Sequence, residues 1–482
     1  MSFFGAQPTA SAGVKKVSTL SVQTSAYGVT IPRAWGTTRI AGNLIWYGDF
    51  VAQELEGQGG KGGGSYVAGY SYSTSLQVAL CDNAVTAIPT SWASKYKGPL
   101  PEYASFSTGG LSQSPWAYMT ANHPADAMGY PGVVWVGYSN AILGSTPTLP
   151  NLSFEVVTAS AGIAGTPDAG PWQVVTDVLQ DVGYPYARIG DLTSYTTFCM
   201  AYGLLLSPLM DQQQRAGDHV GEILDMTCSA PFWSEGVLKV VPFGDTAKTA
   251  NGYTYTPNIA PVYGLTDDDF LPVDGETMPI RISRKAPADQ KNTLRIEFKD
   301  REQDYASSPV EAQDDAHIAQ YGRRPGSTKN YDAIKTAGVA TTVAWLQLQR
   351  GLYVLNTYEF RLGWRYCRLE PMDIVTLTHA GLGMSAVPVR ILDVEDAPGG
   401  VMTITAEDFA QGAGLAPTVS PPPKTGYSIN TNVSPGNVVT PVVFEPPILL
   451  AGQPEIWLAA SGGANYGGCV VWVSTDGATY QR

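Results

Sequence analysis

Histidine and carboxylate groupings are the first places to look for chemistry, and the sequence offers several. In Asn122-His123-Pro124-Ala125-Asp126 an imidazole lies three residues from a carboxylate, as a base and its orienting acid could, but no nucleophile in a recognisable setting accompanies it. Asn, Asp and Pro cluster where chains enter helices, so a cap or turn is the expectation there. His219, Glu222 and Asp225 fall on one expected helix, yet they form no H-E-x-x-H pair and lack a third imidazole, which points to a solvated face rather than a zinc site. Asp267-Asp268-Asp269 has three adjacent carboxylates without the alternating oxygens, central Gly and closing Glu of a calcium loop; it reads as a polar loop before a strand. Glu297, Asp300 and Glu302 are neighbours in sequence, whereas a glycosidase needs two carboxylates projecting into one groove. The run GQGGKGGGS, within residues 54–65, has neither Walker spacing nor a helix onset after it, so a flexible loop is expected instead of a phosphate cradle. None of these groupings requires a cofactor or a metal.

Composition narrows the field further. The chain has 482 residues, too many for one ordinary core, and two to four domains are expected. Only 15% of residues are charged, while Gly, Pro, Ser, Thr and Tyr are plentiful, a balance that favours strands and turns. A net charge of −13 argues against tight nucleic-acid binding, which Lys and Arg drive by displacing counterions. The five cysteines, Cys81, Cys199, Cys228, Cys367 and Cys469, have no C-x-x-C spacing and read as reduced thiols. No basic segment followed by an apolar one opens the sequence, so synthesis in the cytoplasm is expected, and no apolar run is long enough to suggest a membrane span.

The elements follow from periodicity. Leu20 and Val22, then Val29 and Ile31, alternate with polar residues as half-buried strands do, with Tyr27-Gly28 as a turn between them. Leu76, Val78 and Leu80 repeat that period in a stretch that suits a hairpin partner. A short helix is expected at 115–120 and strands at 132–137 and 152–157. Three helices should follow between Gly170 and Ser229: one begun by Pro171 with Val174, Val175, Val178 and Leu179 inward, one capped by Asp191 and closed by Gly203, and one with Val220, Ile223 and Leu224 inward. A hairpin turns at Ser234-Glu235-Gly236. Strands at 280–284 and 293–298, helices at 309–321 and 332–356, and strands at 358–362, 373–379, 387–393 and 400–406 complete this part. Residues 416–448, with Pro421-Pro422-Pro423, read as an extended linker. Residues 454–459 and 469–474 then look like the first strands of another β domain.

Several stretches resemble, in order, the central hub proteins beneath the tail tube of long-tailed phages and prophages, a family that includes the gene transfer agent hub and the lambda-type central tail-tip protein. These are VTIPRAWGTTRIAGNLIW at 29–46, SPWAYMTANHPADAMGYPGVVWVGYSN at 114–140, LPNLSFEV at 149–156, APFWSEGVLKVVPFGD at 230–245, DIVTLTHAGLG at 373–383 and VRILDVEDAPGGVMTITAEDF at 389–409. The resemblance covers most of residues 13–412. It implies a mainly β, multi-domain fold in which two tube-barrel-like β domains flank a small helical α/β insert: residues 1–157, 266–415 and 158–265 respectively. A 416–448 linker and the start of a C-terminal β domain at 449–482 follow. It also implies a homotrimer whose six β domains match sixfold rings. The implied partners are the distal tail ring, tail tube and tape measure protein, a downstream central fibre or receptor-binding protein, and DNA in transit; contact with the host envelope would be indirect. The setting implied is the virion tail tip, assembled in the bacterial cytoplasm, with no catalysis and no cofactor. Trp35, Arg39, Trp46, Tyr47, Trp135 and Arg390, taken from these motifs, are the expected subunit contacts. Two other classes stay open: a cell-wall hydrolase, and an adhesin that stacks host sugars on some of the 26 Tyr and 11 Trp.

Overall fold

A computed structural model describes residues 30–58, 65–94, 96–158, 165–272, 278–412, 437–463, 466 and 468–479. The alternation at Leu20–Val22, the Tyr27-Gly28 turn, the centre of the Gly-rich run and most of the 416–448 segment lie outside them. The chain divides into two compact units, Met1–Pro422 and Pro423–Arg482.

Among the described residues the larger unit has three large hydrophobic cores and a small fourth cluster around Trp135. The first lies between two four-stranded antiparallel sheets. Their strands are β1 (Thr37–Ala41), β2 (Asn43–Gln58), β3 (Ser65–Cys81), β4 (Val85–Ala93), β5 (Tyr96–Gly98), β6 (Ala104–Phe106), β7 (Val134–Gly144) and β8 (Leu152–Thr158). One sheet runs β1-β8-β4-β5 and the other β2-β3-β7-β6. In β8 every second residue is buried, Leu152, Phe154, Val156 and Thr158, which is the period-two pattern of a strand with one face on a core. Leu76, Val78 and Leu80 of β3 meet this face from the other sheet. β3 forms a hairpin with β2, from Asn43↔Ala79 to Gln58↔Ser65, while most of the opening alternation expected as its partner lies outside the described residues. A one-turn helix, α1 (Ala117–Asn122), covers Trp135 with its Trp116 and Met119.

The middle core combines two parts of the sequence. Its first part is α2 (Pro171–Asp181), α3 (Thr193–Tyr202), α4 (Ala216–Met226), the hairpin β9 (Ser229–Ser234) with β10 (Val237–Pro242), and a second hairpin, β11 (Lys248–Ala250) with β12 (Tyr253–Tyr255). Pro171 stands in the first turn of α2 and buries Val174, Val175, Val178 and Leu179 behind it. Gly203 ends α3 in the left-handed region, φ 67°, where a Cβ is penalised.

The third core belongs to a seven-stranded sheet. Its strands are β13 (Tyr263–Leu265), β14 (Phe270–Leu271), β15 (Ile280–Arg284), β19 (Asn356–Gly363), β20 (Ile374–His379), β21 (Met384–Ala397) and β22 (Val401–Asp408). The order is β13-β20-β21-β22-β19-β14, with β15 also on β19, and β13 joins β20 in parallel. Between β15 and β19 come β16 (Thr293–Asp300), β17 (Ala306–Gln313), α5 (Asp315–Tyr321), β18 (Lys329–Tyr331) and α6 (Ala337–Tyr353). These do not join the seven-stranded sheet. Ile296, Phe298, Ala340, Val343, Ala344 and Leu348 pack into the middle core with the helices of residues 171–226. Residues of the 266–415 span thus pack in two places, on the seven-stranded sheet and in the middle core. The expected helix over 309–321 divides: Pro309–Gln313 is strand, because Val310 and Ala312 pair with Ile296 and Leu294 of β16, and only Asp315–Tyr321 is helical.

In the smaller unit a two-stranded sheet pairs β23 (Val442–Phe444) with β24 (Trp457–Ala459) around the short α7 (Ile448–Ala451). A strand thus begins inside the expected linker, and residues 469–474 hold only an isolated bridge residue, Val473, in place of the expected strand. Among the described residues no helix is long and apolar enough to cross a membrane.

Candidate functional site

The sequence-selected groupings are drawn into structural roles. Asp49 and Phe50 bulge β2 between Gly48 and Val51, with Asp49 at φ 51°, and the bulge turns its carboxylate onto α1. There Tyr118 OH donates to Asp49 Oδ2 at 2.6 Å and His123 Nε2 lies 2.8 Å from the same oxygen. Burial pushes the Asp49 carboxyl up, but these two bonds outweigh it and hold the group below its ordinary value. His123 is thus paired with Asp49, 74 residues away, and its link to Asp126 is a backbone turn, Asp126 N to His123 O at 3.0 Å. Asp225 is occupied by Lys329 and Tyr331, and Asp269 by Thr266 and Tyr366. Glu297 pairs with Arg295, while Asp300 is buried and caps the turn after β16. Among the described residues no group of three or more His, Cys, Asp or Glu side chains could hold a metal ion.

The six expected contact residues separate by burial. Trp35 is 3% exposed and donates its Nε1 to Asp177 Oδ2 at 2.8 Å, inside the middle core. Trp135 is 4% exposed beneath Trp116, and Arg390 is 8% exposed between Phe243 and Phe409. These three are used inside the chain, because a side chain with almost no solvent face has none to offer a neighbour. Arg39 is half-buried, lying over Trp92 at 4.2 Å and donating to Ser153 and to Asp304 O. Trp46 is half-buried against His123, and Tyr47 is 45% exposed.

Trp46 and Tyr47 stand at the base of the feature most open to another chain. β7 pairs with β3 only from Tyr72 onward, where Tyr72 faces Gly144. Residues 52–58 and 65–71 therefore form a two-stranded ribbon with no third strand on either side among the described residues. At about 3.4 Å per residue it projects roughly 24 Å. Phe50 stacks on Tyr72 at 5.7 Å where it leaves the sheet, and Val51 and Val67 are exposed along it. A lone hairpin is marginal in water, and its free N–H and C=O rows invite pairing.

Two further groups, not visible in local sequence, hold the layers together. Arg301 donates to Asp168 Oδ1 and, at 3.0 Å, to Thr37 O, while Thr37 N donates to Ser207 Oγ at 3.0 Å. Side-chain exposure is 17% for Arg301 and 8% for Asp168, so this ion pair joins the first β sheets to the middle core out of water. The strand enters so closely that a Cβ on Gly36, at φ 66°, would sit 2.2 Å from Ser207 Oγ. Beside it opens a cleft of about 760 Å³ lined by Arg39, His219, Glu222, Lys299, Asp332 and Lys335.

Lys335 is 5% exposed and donates to Asp332 O at 2.6 Å. Burial pulls its ammonium down to about 8 from 10.5, against the opposing pull of Asp332. The unfolded chain then binds more protons between pH 8 and 10.5, so the burden of this buried charge is full below pH 8 and lifts as pH rises to 10.5. Lys335→Met should gain up to roughly 3 kcal/mol over the wild type at pH 7, with the gain shrinking above pH 8. Urea unfolding of both proteins from pH 6.5 to 10 measures the difference and cancels every group they share.

The geometry defines a mainly β protein whose polar groups are spent on joining layers and whose most open feature is a strand ribbon suited to assembly. Residues 215–394 match the family described as putative phage tail protein. Among solved structures, a chain of the virion of a native gene transfer agent particle aligns with a TM-score of 0.57 and 20% identity, over 86% of this chain and 92% of that one, a likeness of fold. A tail protein from Neisseria meningitidis MC58 aligns at a TM-score of 0.33 and 10% identity over 80% and 99% of the two chains. A 43 kDa tail protein of prophage MuSo2 from Shewanella oneidensis aligns at 0.33 and 13%, over 79% and 100%. No curated protein matches. The family match thus covers residues 215–394, and the likeness to the gene transfer agent chain is one of fold.

Proposed function

We propose that this chain is the trimeric hub of a tail tip or baseplate, closing or extending the tail tube and joining a distal tail ring to a central fibre. The observation that carries the reading is the presence, in one compact unit, of two separately cored β sheet systems bridged by a helical layer. Three such chains supply six β units, enough to meet a sixfold ring on one side while keeping threefold symmetry on the other. The ribbon of residues 52–58 and 65–71 supplies free strand edges for the seam between neighbours, with Tyr47 and Trp46 near its base and Arg39 on the neighbouring sheet as contact residues. A ring of this kind leaves an axial channel for tape measure protein and DNA, and the net charge of −13 per chain favours a lumen to which DNA does not adhere.

Mass photometry and two-dimensional particle averaging of the purified chain, alone and with a distal tail ring, test this. The expected result is a mass of three chains and a threefold ring with a central hole. A chain that stays monomeric with its ring partner present would sink the hub reading.

A further inference from the structure

Beyond the hub reading, and independent of it, we propose that Lys335 is an imine-forming amine and that the cleft beside it receives small oxo acids, with the carbonyl carbon at Lys335 Nζ and the carboxylate toward Arg39 and Lys299. The capture is stoichiometric and reversible, one ligand per chain.

The cleft, at about 760 Å³, has the size of a small-molecule site. Leu209, Met210, Ile223 and Met226 make part of its lining apolar. Lys335 follows β18 through a turn, Ile334 N bonding Tyr331 O at 3.1 Å, and its Nζ lies 5.8 Å from the centre of the Tyr305 ring. The backbone is held against β16 and the turn after it: Lys299 N bonds Ile334 O at 3.2 Å and Arg301 N bonds Lys335 O at 3.1 Å. Two further cations therefore flank this lysine.

That setting favours the neutral amine. Lys335 is buried, and its hydrogen bond goes to a neutral acceptor, Asp332 O, at 2.6 Å. The Asp332 carboxylate lies instead 3.9 Å from Lys299 Nζ, and among the described residues no carboxylate is ion-paired with Lys335. Burial leads in bringing the ammonium down to about 8; Arg301 and Lys299 add to it, while Asp332 and Asp168 oppose. A lysine desolvated beside other cations is activated for carbonyl chemistry. The lone pair of the neutral amine attacks the carbonyl carbon, a C=N bond replaces C=O, and the oxygen leaves as water with the two amine hydrogens.

The charges of the cleft select the electrophile. Arg39 donates to neutral oxygens, Ser153 Oγ at 2.9 Å and Asp304 O at 3.0 Å, and the 3.9 Å between Lys299 and Asp332 is too long for a hydrogen bond. Asp211, Glu222 and Asp332 also line the cleft, but all three are exposed, whereas Arg39, Lys299 and His219 are half-buried and Lys335 is buried. A singly charged acid thus meets more positive surroundings as it moves inward.

The test is labelling of the whole chain by glyoxylate, and separately by neutral acetaldehyde, in cyanoborohydride, which reduces each imine as it forms; peptide mass spectrometry then assigns the lysines. The drop from 10.5 to about 8 raises the neutral fraction about 300-fold, and restricted access takes part of that back. At pH 7.5 Lys335 should therefore react with glyoxylate at least about tenfold faster than the exposed Lys285 and Lys291, and its rate should level off above pH 8 while theirs still climbs. Measured against the same ratio at Lys285, Lys335 should prefer glyoxylate to acetaldehyde, and Arg39→Gln should weaken that preference. Labelling of Lys335 no faster than of Lys285, labelling only at the rate of global unfolding, or a preference undiminished in Arg39→Gln would overturn the proposal. The first two readings need no variant, and mass photometry of the same samples reads the hub proposal separately.

Discussion

Asp168→Ala should cost about 3–5 kcal/mol of unfolding free energy, the largest single-residue effect expected away from the cores. The loss comes less from the missing attraction than from what stays behind. Arg301, with a side chain 17% exposed, would keep its charge where the neutral oxygens of Thr37, Ser207 and Tyr305 are left to answer it. The double variant Asp168→Ala, Arg301→Met removes the stranded charge and should recover most of the loss, since a buried pair replaced by apolar groups is often nearly neutral. Urea unfolding of the two single variants and the double variant gives the coupling. If Asp168→Ala costs under 1 kcal/mol, roughly the worth of an exposed pair, the junction is wetter than its burial indicates.

Shortening the ribbon should separate folding from assembly. Ala52 faces Tyr72 in the hairpin register, so residues 53–71 can be replaced by Asn-Gly, a pair suited to a two-residue turn. The removed residues lie beyond the third strand and contribute little to the first core, so stability should change by no more than about 1 kcal/mol. Assembly should respond far more strongly: the fraction of trimer seen by mass photometry at a fixed concentration should fall at least about tenfold, for a loss of only about 1.4 kcal/mol per contact set would do that. Trimers of undiminished stability from the shortened chain would remove the ribbon from the seam.

Much of the fold could be read from periodicity because each element carried its own signal. Pro171, the stripe from Val174 to Leu179, Asp191 and Gly203 mark helix ends and faces within a few residues, and those helices stand where the pattern put them. The error over 309–313 arose because the apolar residues of β17 are few and its neighbours in the sequence are helical; the pairing of Val310 with Ile296 that decides the matter is tertiary. The same holds for the junctions. Nothing near Asp168 points to Arg301, which lies 133 residues away, and His123 has a nearer carboxylate in sequence than the Asp49 it chooses. Aromatic and arginine residues in family-like motifs gave no sign of burial, since Trp35 and Arg390 serve the interior as readily as Tyr47 serves the surface.

The parallel pairing of β13 with β20 has a consequence for the order in which the molecule comes into being. Tyr263 lies beside Val375, and the sheet they share is completed only by β22, which ends at Asp408. The first core is finished by Val156 and can close while the rest is still being translated. At about 5–20 residues per second, the Tyr263–Leu265 segment waits roughly 6–20 s on the ribosome for its partner. Pairing over such a separation is slow in itself. The last-formed sheet therefore sets when a nascent chain stops exposing unpaired strand to its neighbours on the polysome, and this is where crowded synthesis would first produce misassembled chains.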